Sequence, residues 1–245
     1  MKKLSLVLAV ILLIFALSGC KTRPFRDYYH EATKKEAQTL ANNVLHGAYY
    51  SFSNFSLQGS YVERYGNGTI MYYEKDLVCS HRKFEGTITH VYENPSEPSK
   101  SYKHVYEYSM VNGKILETKT IGDKITNQMF EVKDGLKLLQ PIQKLFGWYK
   151  KIIHGMADGT MPLNCIYFGD NEPTKIKIVP TINLATFLEL GEKVGYGDAF
   201  IAYDEGYRIK AALLRFEFAV DDLSDVVGYG NNLVSVSADM SLLPL

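Results

Sequence analysis

The stretch YKHVYEYSM, residues 102–110, has the period of a β-strand. Successive side chains on a strand point to opposite faces. Tyr102, His104, Tyr106, Tyr108 and Met110 therefore share one face, and Lys103, Val105, Glu107 and Ser109 share the other. Asn112-Gly113 follows, a pair that readily takes the positive-φ positions of a two-residue hairpin turn. Lys114–Ile121 reads as the returning strand, and Gly122-Asp123 reverses the chain again into Lys124–Val132. Strands joined by turns this short form an antiparallel meander. Upstream, Gly66-Asn67-Gly68 is a further turn inside the strand-rich tract 51–132. Asn94–Ser99, with Pro95 and Pro98, reads as an exposed loop.

Helical periodicity flanks this tract. Ala37, Leu40, Ala41, Val44, Leu45 and Ala48 recur at steps of three and four, predicting an amphipathic helix over 29–48. Thr33-x-x-Glu36 resembles a capping box, Asp27 offers an earlier cap, and Gly47 marks the end. A middle helix is predicted between Pro141 and Gly155, residue types suited to a helix start and end. Ile142, Leu145, Phe146, Tyr149, Ile152 and Ile153 form its apolar stripe, with Trp148 at the flank and Gln143, Lys144, Lys150 and Lys151 opposite. At roughly 14 residues it is too short to span a bilayer, which takes about 20. Its stripe packs on a sheet, lids an apolar cavity or rests on lipid; the sequence leaves the three open.

Strand chemistry then resumes at 165–168 and 175–179, with a short helix expected within 183–194. Closing strands are expected near 198–203, 207–220 and 233–242, with Asp204-Glu205-Gly206 as a hairpin turn. In the last strand Val234, Val236, Ala238, Met240 and Leu242 face one way, which is a half-buried pattern. VGYGDA (194–199) and VGYGNN (227–232) read as two glycine-rich turns ahead of strands.

Composition narrows the function. Charge is balanced, with 27 basic and 27 acidic side chains, a poor footing for nucleic-acid binding. The 18 tyrosines favour strands and surfaces that are apolar in body and polar at the tip. Past Cys20 the cysteines are Cys79 and Cys165, which either pair outside the cytoplasm or sit as free thiols in apolar strands.

The first residues have the order of an export signal. Lys2 and Lys3 precede Leu4–Leu17, apolar except for Ser5. Leu17-Ser18-Gly19-Cys20 resembles the lipobox of bacterial lipoproteins. The resemblance implies that residues 1–19 are a removed signal peptide and that Cys20 is acylated. The chain would then be extracytoplasmic and lipid-anchored to the bacterial cell membrane, the outer membrane in a host that has one. An uncleaved amino-terminal anchor with an incidental cysteine is the plainer alternative. Each buried methylene contributes about 0.8 kcal/mol, and stable anchoring needs more than one chain. Residues 20–28 form the lipidated tether; at ~3.5 Å per residue it reaches roughly 30 Å, so the body (29–245) would sit close to the bilayer.

Motifs for catalysis are missing. There is no GxSxG, P-loop, CxxC or HExxH, and His30-Glu31 lacks the second histidine. Cys79 and His81 lie two apart on a strand, ~7 Å, too far for a nucleophile pair. His90 and His104 are in neighbouring segments without a zinc spacing. Asp221, Asp222 and Asp225 read as a solvated turn. No metal, cofactor or enzymatic activity is expected.

The expected architecture is α+β: a curved antiparallel sheet, or half-barrel, packed on an N-terminal helix and a middle amphipathic helix. This order over 29–242 resembles the lipoprotein-carrier (LolA-like) half-barrel family, in which a sheet curves around helices and carries acyl chains between them. The resemblance implies a cavity for a lipid or other amphiphile, with Tyr106, Tyr108, Phe146, Tyr149 and Ile153 as ligand-binding candidates. The same faces could equally close on each other as an ordinary core. The competing expectation is then a structural lipoprotein that engages an envelope protein through a sheet edge or aromatic patch.

Overall fold

The computed structural model describes residues 28–46, 55–80, 83–222 and 227–244. The signal-like segment, Cys20, Gly47, His81 and Asp225 lie outside the described residues. In chain order the elements are β1 (Tyr29–Glu31), α1 (Lys34–His46), β2 (Phe55–Tyr65), β3 (Gly68–Cys79), β4 (Phe84–Glu93), β5 (Tyr102–Val111), β6 (Lys114–Ile121) and β7 (Lys124–Phe130). There follow α2 (Gln140–Asp158), β8 (Ile166–Gly169), β9 (Lys175–Ile178), α3 (Ile182–Phe187), β10 (Val194–Tyr203), β11 (Ile209–Ala219) and β12 (Leu233–Pro244). The fold is α+β, with the helices on a large, partly curved antiparallel sheet.

The strands lie in the order β1-β8-β9-β10-β11-β12-β2-β3-β4-β5-β6-β7. Two meanders, β2–β7 and β8–β12, are joined where the last strand meets the first long one. β12 pairs antiparallel with β2 from Leu233/Tyr65 to Pro244/Phe55. That seam brings together residues far apart in the chain, and local turn signals carry no trace of it. β2 bends there: its register against β3 shifts between Leu57 and Gly59. Gly59 has φ 147, and a Cβ on it would stand 2.2 Å from the Asp239 carbonyl oxygen, so only glycine fits.

The expected hairpins form. Asn112 (φ 51) and Gly113 (φ 76) take the paired positive angles of a type I′ turn. In β12 Val234, Val236, Ala238, Met240 and Leu242 are all buried. On α1, Ala37, Leu40, Ala41 and Val44 face the core. The capping box is made: Thr33 donates to Glu36 Oε2 from N–H (2.9 Å) and hydroxyl (2.6 Å), and Glu36 N–H donates to Thr33 Oγ1 (3.3 Å). Those bonds from Thr33, with His30 behind them, lower the Glu36 pKa to about 2.

Three readings need correction. Tyr29–Glu31 is a strand, not the helix start; it pairs with Tyr167–Gly169, and the helical repeat begins only at Ala37. α2 is 19 residues long and runs through Gly155 to end at Gly159. Gly155 is instead a packing position, since a Cβ there would lie 2.5 Å from the Phe187 ring. An interior glycine costs a helix about 1 kcal/mol, offset here by the close approach of α3. The first VGYG copy is the start of β10, and only the second is a turn.

Candidate functional site

The candidate site is the space between α2, α3 and strands β9–β12. On α2, residues at three- and four-residue steps point inward, and Leu145, Tyr149, Ile152, Ile153 and Met156 are buried. From the sheet, Ala212, Leu214, Phe216 and Phe218 of β11 point back at them, with Ile201 of β10 and Met240 of β12 on either side. The α3 segment closes one flank with Leu184 and Leu188. Thr181 caps this short helix, its hydroxyl accepting from Leu184 N–H at 3.2 Å.

These faces do not close completely. They leave a semi-enclosed cavity of about 90 Å³ whose lining residues are apolar or aromatic throughout. Natural interiors pack to crystal-like density and leave few voids larger than a water. Phe55, Phe146, Trp148, Phe216 and Tyr61 form an aromatic wall: Phe55–Phe146 6.4 Å edge-on, Trp148–Phe216 6.2 Å and Tyr61–Trp148 6.5 Å between centroids.

Polar contacts tie α2 down near its start, at Lys144, and midway, at Lys151. Glu63 on β2, 5% exposed, accepts from Tyr61 Oη (2.7 Å), Tyr65 Oη (2.8 Å) and Lys144 Nζ of α2. Burial pushes its carboxyl up, but the bonds from Lys144, Tyr61 and Tyr65 together outweigh that and hold it below the usual range. Further along, Lys151 donates to Glu189 beyond α3 at 2.7 Å, and its ammonium stands 5.5 Å from the Phe187 ring centroid. Beside the cavity Tyr203 is buried, with the Tyr149 side chain as its neighbour. Burial raises its pKa well above the usual range, and the neighbouring Tyr149 adds to the effect.

The candidates divide. Phe146 and Tyr149 line the cavity. Ile153 is fully buried on the same helix but in solid core, outside the lining. Tyr106 and Tyr108 lie on β5, remote from the lining: Tyr108 is buried edge-on to Phe84 (5.3 Å) and donates to Glu117 Oε2 (3.0 Å), while Lys119 stands over the Tyr106 ring at 5.2 Å. The lining that sequence reasoning missed is on β10–β12 and α3. A signal was present, since β11 and β12 alternate as clearly as β5, but no local pattern shows which strands lie beneath α2.

β5 joins β4 in a second feature. His90 and His104 sit directly opposite, as do Tyr92 and Tyr102. Tyr102 stacks on His104 at 4.4 Å, and His90 meets Tyr102 edge-on at 5.2 Å. Burial lowers both histidine pKa values, and Lys119 lowers them further. Among the described residues no three His, Cys, Asp or Glu side chains are grouped to hold a metal. Cys79 and Cys165 are free, buried thiols, both pushed up to about 12 by burial. Among the described residues no helix is long and apolar enough to cross a membrane. Comparison with protein-family models, curated proteins and solved structures finds no match for this chain.

Proposed function

We propose that this protein is a lipid-anchored extracytoplasmic lipoprotein of the bacterial envelope, held by acylated Cys20 and a tether over residues 20–28. Its body, 29–245, binds the apolar part of a lipid or other amphiphile without chemistry. The observation that carries the binding reading is the apolar cavity between α2, α3 and β9–β12. The anchoring reading rests on the ordered signal, from Lys2 and Lys3 through the apolar run to Leu17-Ser18-Gly19-Cys20. A cavity of about 90 Å³ is smaller than the ~150 Å³ engineered void that holds benzene, so it takes the end of a chain. A longer stretch enters only if α2 moves outward on its Glu63 and Glu189 contacts.

Mass spectrometry of protein gently extracted from its native membrane tests both parts. The expected covalent mass lacks residues 1–19 and carries acyl chains on Cys20. The expected native mass carries an additional, separable lipid. An unmodified chain that retains its first nineteen residues contradicts the anchor; a chain that is always empty contradicts the binding. A second reading, an envelope interaction protein without a ligand, draws on the aromatic face of β4 and β5 and on the exposed β7. Crosslinking in cells to one specific envelope protein would favour it.

A further inference from the structure

The two edges of the sheet are finished differently. β1 is three residues long, and His30 on it is held between Glu36 (2.9 Å) and Asp170 (2.7 Å). β7 is seven residues, KITNQMF, exposed from Lys124 to Met129. Natural sheets blunt an edge with proline, a bulge, inward charges or brevity. β7 has no proline and no glycine, its register against β6 is unbroken, and its one charged side chain is at the end.

The turn before it decides which backbone groups face outward. Ile121 and Lys124 flank the two-residue loop Gly122-Asp123, with Gly122 at φ 54. Such a loop closes on a hydrogen-bonded pair, and the pattern then alternates along the ladder. Lys124, Thr126, Gln128 and Phe130 therefore turn their peptide groups to β6. Ile125, Asn127 and Met129 direct theirs away from the sheet. This outward triad is symmetric about Asn127. A second β7 running antiparallel and centred there sets Ile125 opposite Met129 and Asn127 opposite Asn127, so every outward donor meets an acceptor. Ile125 and Met129, 64% and 44% exposed, then cover each other on one face. On the other face Thr126 meets Gln128, and the two Lys124 side chains lie at opposite ends.

We propose that β7 is a self-pairing edge, which continues the sheet into a second copy of this chain across a two-fold axis at Asn127. The inference is independent of the cavity and of the anchor. Cysteine crosslinking of the full chain, in its membrane and again in detergent, tests it. Directly opposed residues of a hydrogen-bonded pair have Cα atoms ~5.5 Å apart, inside the disulfide range of ~4.4–6.8 Å. Oxidised Asn127→Cys is expected to double in mass as a homodimer, over the background of the wild-type chain. Thr126→Cys alone is expected to stay monomeric, and a mixture of Thr126→Cys with Gln128→Cys to crosslink. Adding Ile125→Lys and Met129→Lys to Asn127→Cys is expected to abolish the dimer with the circular dichroism unchanged. A monomeric Asn127→Cys, equal yields from Asn127→Cys and Thr126→Cys, or a crosslink to a different polypeptide would overturn the proposal.

Discussion

β12 and β7 belong to one antiparallel sheet, but they are stabilised in different ways. In β12 every second residue from Val234 to Leu242 is buried, and it has a paired strand on both sides. In β7 Lys124 through Met129 are exposed on both faces, and among the described residues it pairs with β6 alone. β12 is a strand because burial requires it; β7 is one because a tight turn lays it beside β6. The helices make the difference. α2 and α3 cover the β9–β12 half and leave the cavity there. On the other half α2 reaches β2 through Lys144, Phe146 and Trp148, and the 3-10 segment Val132–Leu138 brings Gly135 against Phe84 and Ile115. The β9–β12 half thus holds a buried interior with a gap, while the other keeps its core from β2 to β6 and thins to an open edge at β7. Elements with few buried contacts occupy the low end of local stability. Amide exchange is accordingly expected to be fast in β7 and slow in β12.

Paired truncations would break this contrast most sharply. Ile153→Ala on α2 is expected to destabilise by about 2–5 kcal/mol, as full core truncations do. Ile125→Ala on β7 is expected to stay within ~0.5 kcal/mol of wild type in the monomer. Urea unfolding measures both, and similar costs at the two sites would dissolve the distinction.

The Glu63 clamp gives the next effect. Glu63→Gln keeps the volume but removes the charge from Lys144 and both tyrosines, at an expected cost of about 1–3 kcal/mol. The Glu63 pKa is held below its ordinary 4.5. Its contribution is therefore present above pH 4.5 and is lost as pH falls through the lowered folded value. Urea midpoints of the variant should fall less steeply than wild type in that acid window; parallel profiles would remove Glu63 from the account.

Tyr203→Phe is a smaller change. Deleting this buried hydroxyl beside Tyr149 is expected to change stability by no more than about 1 kcal/mol. Weaker amphiphile binding in the same variant would identify the hydroxyl as a polar contact. A larger loss of stability would mean the hydroxyl's contact with Tyr149 is a strong hydrogen bond. His30→Gln at the β1 edge has the least effect, under ~1 kcal/mol for so exposed a pair. Hydrogen bonds from the His30 ring to the Glu36 and Asp170 carboxylates raise its pKa above 6.5. Its contribution is full below pH 6.5 and lost as pH rises through the raised value, so the variant's stability should be flatter with pH there.

Much of the meander was legible. Asn112-Gly113, Gly122-Asp123 and Gly66-Asn67-Gly68 encode their hairpins within a few residues, and the tyrosine face of β5 follows from spacing alone. The β12–β2 seam was not legible, because it pairs Leu242 with Leu57 across most of the chain and no local signal specifies it. The site inherited that gap. Phe146 and Tyr149 were found because an amphipathic helix announces its own buried face. Ala212, Phe216 and Met240 were not assigned to the site because which strands lie under that helix depends on the seam. Glu63 was invisible for a related reason: a lone acid in a strand reads as solvent-facing until Lys144 is placed over it. Gly155 misled as a helix stop because Phe187, which fills its missing side chain, comes from a separate element.

The most direct measurement uses Trp148, which borders the cavity and is the protein's single tryptophan. A fatty acid brominated along its chain is titrated against the full protein while Trp148 fluorescence is followed. Saturable quenching is expected for wild type and its loss for Ala212→Leu, which fills the cavity from β11, its fold checked by circular dichroism. Absent quenching, or equal quenching in the filled variant, would contradict the claim that this gap receives an apolar chain.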